Sequence, residues 1–414
     1  MLPYGALAVR AHHILALVFT EWMAIGFGFA ALVWMVRARL GTARARDGVL
    51  TLASIALLIW FVSTPLAAAW LAYVVIFYAA VELAVSYAAV AVLVLALLAV
   101  LLVLPVLTVG PIGEYGRHAR EFVAFATNVA FLRLLAYAAD RRAGRQARPS
   151  LGRFLLVMFF FPTVVNGPIE APRRFAEGWS GEHGQARRDD LLAGLARVAV
   201  GVGKLWLVGV ALRPGWMSEA AGLRAAPAYA LWSRGILLYV WFYLSFSAWT
   251  DVAVGLARLC GRRAQENFFA PWQAVDPADF WRRWHVSLGL WLRDYVYIPL
   301  GGKRRHRALN VFVVFAVSAA WHVWGSAKLL GLGFFPPNAW GGFFVWGALN
   351  ALGVLAVGPV ERMLPATTPW AVAVRRFGTF LFASLCWVPF FMPPELPFNA
   401  GLEMLLRMLL PFRS

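Results

Sequence analysis

Two histidines and an aspartate are the residues most able to do chemistry in this chain. His322 lies 13 residues after Leu309, in an apolar run with no other ionisable side chain until Lys328. At 1.5 Å per residue that places it about 20 Å along a helix, where an ionisable group inside a bilayer is costly and points to function. A neutral imidazole, with an ordinary pKa of about 6.5, can take a proton from a hydroxyl at physiological pH, as a general base must. Trp321 and Trp324 flank it. A histidine tied to a neighbouring helix would satisfy the same pattern.

His285 belongs to the segment DFWRRWHVSLGLWLRDYVYIP, Asp279–Pro299. Steps of 100° from Trp281 bring Trp284, His285, Leu288, Trp291, Leu292 and Tyr295 within an arc of about 120°, with Arg282, Arg283, Arg293 and Asp294 opposite. The spacing predicts one amphipathic helix with His285 in an aromatic wall. That wall would hold either a buried, hydrogen-bonded histidine or an imidazole placed to orient a hydroxyl. Asp251 sits among Ser245, Ser247 and Thr250, where a carboxylate could orient an imidazole, bind a sugar hydroxyl or tie two helices. Glu21 and Glu82 interrupt apolar runs and fit either a proton relay or such ties. His285 and His322 are 37 residues apart, and Cys260 and Cys386 form no C-x-x-C, so no metal site is expected. Gly203-Lys204 is no P-loop, because Val198 and Leu205 replace the required Gly and Ser/Thr. There is no G-x-S-x-G elbow either.

The elements that must hold these residues are set by composition. Of 414 residues, 61% are hydrophobic and only 14% charged, which excludes a soluble enzyme, a disordered chain and a disulfide scaffold. An integral membrane protein remains, with length for roughly ten spans. The net charge of +18 lies in short loops, where it serves orientation and anionic headgroups rather than nucleic acid. The arginines after the run Ile14–Val36 predict an extracytoplasmic N-terminus, and that run is too long for a cleaved signal. Further apolar runs are Val49–Leu107, Phe122–Ala139, Phe154–Val165, Leu191–Leu212, Gly235–Ala257, Leu309–Ala327, Trp340–Val357 and Ala371–Phe391. Between them, Asn166–Arg188, Arg258–Arg307 and Gly331–Asn338 carry the prolines, glycines and charges expected of re-entrant or cavity-lining backbone. No internal repeat or long linker divides the chain, so one domain over 1–414 is expected. The run Lys303, Arg304, Arg305, Arg307 is either a solvated loop against lipid phosphates or a docking point for an anionic acyl donor.

The segment FWRRWHVSLGLWLRDYVYIPLGG, Phe280–Gly302, strongly resembles the signature of the membrane-bound O-acyltransferase superfamily, above all its bacterial alginate O-acetyltransferase and teichoic acid D-alanyl transfer branch. FFPTVVNGPIEAPRRF (Phe160–Phe175), YLSFSAWTDVAVGLARL (Tyr243–Leu259) with Glu266-Asn267-Phe268, and AWHVWG (Ala320–Gly325) are similar to other elements of that branch, in the same order over about 159–350. The resemblance implies an all-α polytopic protein with helices ringed around a central tunnel, in a bacterial inner membrane. It implies His322 as the catalytic histidine and His285 as the second family histidine. It also implies acyl transfer, acetyl first, from a cytoplasmic thioester (acetyl-CoA or an acyl-carrier protein) to a hydroxyl of an extracytoplasmic polysaccharide, or to a periplasmic partner that acylates it. No tightly bound cofactor is expected. Asp251, Ser247, Trp281, Trp284, Arg293 and Trp321 are candidate substrate contacts. Val323-Trp324 follows His322 where the family more often carries a small, glycine-containing sequence, which predicts a differently shaped tunnel. The rival readings are D-alanyl transfer to an envelope polymer, a proton-coupled transporter or flippase using Glu21, Glu82 and Asp251, and a scaffold for a partner that completes the chemistry.

Overall fold

The computed structural model describes residues 23–35, 42–61, 64–83, 86, 114–165, 167–179, 185–211, 226–329, 337–391 and 399–410. All regular structure among them is helical. Four of the described helices are long and apolar enough to cross a membrane, within Arg188–Val208, Ala228–Leu259, Gly341–Met363 and Pro369–Phe390. Shorter apolar helices lie at Met23–Met35, Ala67–Glu82 and Arg307–Val323. The chain is a multi-pass membrane protein. Glu21, the segment 87–113 and most of Gly331–Asn338 fall outside the described residues.

We label the main helices α1 (Met23–Met35), α2 (Ala43–Phe61), α3 (Thr64–Glu82), α4 (Glu114–Arg142), α5 (Leu151–Phe159), α6 (Gln185–Ala211) and α7 (Ala228–Leu259). They continue as α8 (Pro277–Arg283), α9 (Val286–Leu292), α10 (Arg307–Leu329), α11 (Pro337–Met363), α12 (Pro369–Phe390) and α13 (Ala400–Leu409). Their contacts group into two compact units. One comprises described residues of 12–203 and 248–266, the other those of 204–247 and 267–414.

In the first unit, α5 is much shorter than the apolar run suggests. It stops at Phe159, and Pro162 and Gly167-Pro168 follow. Unwound backbone needs internal partners at membrane depth. Arg133, fully buried on α4, supplies them: Nη1 donates to the Val157 carbonyl at 2.9 Å and Nη2 to the Thr163 hydroxyl at 2.8 Å. A second buried arginine, Arg262, forks onto Glu170 at 2.7 and 2.8 Å and lies 3.7 Å over the Phe175 ring. Arg262 Nε also donates to the Phe175 carbonyl at 3.2 Å, so a guanidinium group satisfies irregular backbone in the described part of the stretch after Val165. The C-terminal part of α7 packs on α6 through small residues. A Cβ at Gly255 would come within 2.8 Å of the Gly194 carbonyl, and one at Gly201 within 2.7 Å of the Ala248 carbonyl. Only glycine permits that approach, as at many membrane helix contacts.

The second unit holds an aromatic core. Trp284, Trp346, Trp387, Phe280, Tyr239 and Phe315 are buried together from α7, α8, α10, α11 and α12. Trp284 stacks on Phe280 with centroids 5.5 Å apart and meets Trp387 at 5.1 Å. Offset and edge contacts of this kind add about 0.5–1.5 kcal/mol each to the burial of the rings. They form a stiff wall, and the candidate site lies against it.

Candidate active site

The single amphipathic helix expected over Asp279–Pro299 is broken into three pieces. Asp276 caps α8, its Oδ1 accepting from the Asp279 amide, and Pro277 occupies the first helical position. Arg375 of α12 holds this entry by donating from Nε to the Val275 carbonyl at 3.1 Å and pairing with Asp276. After seven residues α8 ends. Trp284 is extended and His285 is left-handed, with φ 44°. α9 follows, and then a π-helical turn over Arg293–Tyr297. A residue with a Cβ in the left-handed region costs about 1 kcal/mol or more, and such conformations cluster at functional sites. The local bonds that oppose this cost come from Asn267. Its backbone carbonyl accepts from the Val286 amide at 3.0 Å, and its side-chain oxygen accepts from the Ser287 amide at 3.1 Å and the Ser287 hydroxyl at 2.7 Å. His285 Nδ1 lies 3.2 Å from the same oxygen.

His322 projects from α10, about four turns from its start. Its Nδ1 is 2.7 Å from the carbonyl of Ser318, one turn earlier. Phe390, Trp346 and Phe343 surround the ring at centroid distances of 5.3, 5.5 and 6.2 Å.

Both histidines line one cavity of about 560 Å³. Its walls are Phe242 and Phe246 of α7, Trp281, Trp284 and Leu288, Val311, Phe315 and Ser318 of α10, Trp346, and Trp387 and Phe390 of α12. Arg282, Arg293 and Tyr297 also contribute. The arginine side chains are 66% and 51% exposed, so they mark the open end. Each guanidinium has an acid beside it, Asp279 for Arg282 and Asp294 for Arg293. Burial, followed by the neighbouring His322, pushes the His285 imidazole down to about 3, so it is neutral at physiological pH.

The sequence candidates therefore separate. His285, His322, Trp281, Trp284 and Arg293 converge on the cavity. Trp281 is fixed by donation from Nε1 to Asn350 Oδ1 at 3.1 Å. Ser247 and Trp321 do not line the cavity. Ser247 instead accepts from Lys204 Nζ at 3.1 Å. Asp251, in the other unit, is buried and ion-paired to Arg197 at 2.8 Å. Glu82 is likewise held by Arg141, at 2.7 and 2.9 Å, and by the Tyr137 hydroxyl. These are the ties that the sequence left as one of two options. No group of three or more metal-ligating side chains occurs among the described residues. The basic loop Lys303–Arg307 is exposed, and its backbone is drawn together by Asn310, whose Nδ2 donates to the Gly302 and Arg305 carbonyls at 2.9 and 2.7 Å.

Sequence reasoning gave Asn267 only as part of a motif match, without a role, and missed Ser318 and the walls from α11 and α12. Ser318 was findable, since its carbonyl is four residues before His322. Trp346, Trp387 and Phe390 carry no local signal that distinguishes a cavity wall from lipid-facing bulk.

Several curated proteins are similar to this chain. "Probable alginate O-acetylase AlgI" of Pseudomonas syringae is 26% identical over 270 residues, covering 62% of this chain and 46% of that protein. "Peptidoglycan O-acetyltransferase" of Helicobacter pylori is 27% identical, covering 58% and 44%. "Teichoic acid D-alanyltransferase" of Bacillus subtilis is 29% identical, covering 42% and 46%. The chain spans about half the length of these curated relatives. The family profile named "MBOAT, membrane-bound O-acyltransferase family" matches residues 51–356, a stretch that contains both cavity histidines. On that match the chain belongs to the membrane-bound O-acyltransferase family.

Proposed function

We propose that this protein transfers an acyl group, acetyl first, from a thioester donor on the cytoplasmic side to a hydroxyl of an extracytoplasmic polysaccharide, or to a periplasmic partner that acylates it. The observation that carries this reading is His322. A backbone carbonyl can only accept, so the nitrogen facing Ser318 carries the proton and Nε2 keeps its lone pair. That lone pair, in an aromatic-walled cavity, suits removal of the hydroxyl proton as its oxygen attacks the thioester carbonyl. The C–O bond forms, the C–S bond breaks, and the proton leaves with the thiol. His285 would orient the acceptor molecule through another of its hydroxyls. The half-exposed Arg282 and Arg293, with the basic loop Lys303–Arg307, suit an anionic donor such as acetyl-CoA or a carrier-borne phosphopantetheine.

Acetyl is favoured over D-alanyl by charge. The described cavity lining holds no carboxylate, and the acids at its open end, Asp279 and Asp294, are already paired with Arg282 and Arg293, so the lining offers the ammonium of an aminoacyl group no carboxylate of its own. The transporter reading is less well supported, because Glu82 and Asp251 are engaged by arginines. The full protein is expected to have about ten spans ringed around a tunnel in a bacterial inner membrane, with its N-terminus outside. The profile match runs through both compact units and supports one family domain over 1–414.

The test is acyl transfer in proteoliposomes supplied with isotopically labelled acetyl or D-alanyl thioester and a polysaccharide acceptor. Labelled acetyl should reach the glycan with wild-type protein and not with His322→Ala. Full acetylation by a folded His322→Ala variant would overturn the mechanism, and exclusive use of the D-alanyl donor would overturn the choice of acyl group.

A further inference from the structure

The bonds around Asn267 decide more than the shape of the chain. Its Oδ1 receives the Ser287 amide, a donor whose proton cannot be moved elsewhere. The atom is therefore the oxygen and not the amide nitrogen, since a flipped side chain would set NH2 against N–H. The Ser287 hydroxyl, free to rotate, also points its proton there, at 2.7 Å. His285 Nδ1 is the third atom on that oxygen, at 3.2 Å. An oxygen offers no proton, so Nδ1 must bring one. The His285 imidazole, neutral in its apolar surroundings, is then protonated on Nδ1 and bare on Nε2. An imidazole in this form accepts hydrogen bonds through Nε2 and cannot donate one to a carbonyl.

We infer that Asn267 is a positioning residue that locks His285 in the Nδ1-protonated tautomer and in its left-handed turn, so that His285 presents a hydrogen-bond acceptor to the cavity and orients the acceptor molecule through a hydroxyl other than the attacking one, instead of polarising the thioester carbonyl. The inference rests on the acyl-transfer reading for its consequence, while the tautomer itself stands on the geometry alone. It gives the two histidines parallel chemistry. Each uses Nδ1 on a fixed oxygen, Asn267 Oδ1 or the Ser318 carbonyl, and each leaves Nε2 as the acceptor. The occupant between them must therefore bring hydroxyl protons. An acyl thioester alone has none at its reacting end, so both acceptor nitrogens await the second substrate.

Four variants and one spectrum test this. Nitrogen-15 spectra of histidine-labelled protein, assigned by comparison with His285→Gln, should show His285 protonated at Nδ1. Asn267→Ala should lose that pattern and at least tenfold in kcat, with donor KM nearly unchanged. Asn267→Asp keeps an acceptor oxygen and should recover most of the rate, with the acid limb of the pH profile displaced upward because a carboxylate favours the imidazolium. Ser287→Ala removes one bond to Asn267 without touching the imidazole and should cost little. An Nε2-protonated His285 in the wild type, or an Asn267→Ala enzyme with unchanged kcat and pH profile, would overturn the inference while leaving the role of His322 intact. If no acyl transfer occurs at all, the functional reading fails and the nitrogen spectrum still decides the tautomer.

Discussion

The ion pairs of one compact unit and the cavity of the other hold their polar groups in different ways. In the unit formed by 12–203 and 248–266, the carboxylates of Glu170, Glu82, Asp251 and Asp190 are each paired with an arginine, Arg262, Arg141, Arg197 and Arg258 in turn. In the unit formed by 204–247 and 267–414, the cavity holds two imidazoles, each anchored through Nδ1 and, among the described residues, by that nitrogen only. A buried pair whose atoms all have partners has nothing left to offer a substrate. A buried imidazole with one unengaged nitrogen does. The contrast separates residues that hold irregular backbone from residues that can react, although both kinds look alike as polar interruptions of an apolar sequence.

The sharpest way to break this contrast is to exchange the consequences of mutation. His322→Ala should lower the turnover of acyl transfer by about 10²- to 10⁴-fold, the usual contribution of a positioned base, and leave thermal unfolding in detergent nearly unchanged. Glu170→Ala should do the reverse. It strands a fully buried guanidinium and should destabilise the protein by about 3–5 kcal/mol, read as a lowered unfolding midpoint, with activity per folded molecule preserved. A Glu170→Leu/Arg262→Met double variant should recover much of that loss, because no lone charge remains. If Glu170→Ala instead removed activity from a well-folded protein, the pairing of buried charges would no longer distinguish structure from chemistry.

How far the sequence revealed the site follows the same division. Helical class, membrane character and the helix that carries His322 were legible, because apolar runs and a lone ionisable residue are local signals. The break at His285 was not. Nothing between Phe280 and Leu288 is a proline or glycine, and the periodicity is that of an unbroken amphipathic helix. The break depends on Asn267, 18 residues upstream, whose oxygen gathers the turn from outside it. Asp251 looked like a site residue because small hydroxylated side chains surround it, and no local pattern reveals that its partner is Arg197, 54 positions away.

A smaller effect sharpens the contrast through pH. Unfolded histidine binds its proton near 6.5, whereas buried His285 does so only near 3. Between those values the unfolded chain holds more protons, so stability from this group is complete above about 6.5 and is lost as pH falls toward 3. The unfolding midpoint of the wild type should drop across that window, and that of His285→Gln should drop less. Equal slopes for the two proteins would mean that His285 is not held neutral by its surroundings.

The smallest effect concerns a wall residue. Trp281 lines the cavity and donates from Nε1 to Asn350, whose own amide donates to the Trp346 carbonyl at 2.8 Å, so one asparagine sets two faces of the wall. Trp281→Phe keeps an aromatic ring and removes one neutral hydrogen bond, worth about 1 kcal/mol, leaving Asn350 Oδ1 without that donor. On the proposed reading the wall shapes the bound donor and touches no proton in flight, so the variant should raise donor KM a few-fold at nearly constant kcat. Adding Asn350→Leu to Trp281→Phe should cost less than the two single changes summed, since the stranded oxygen is then gone. A kcat loss as large as that of His322→Ala would instead place the indole N–H in the reaction, and the line between wall and reacting group would have to be redrawn at Trp281.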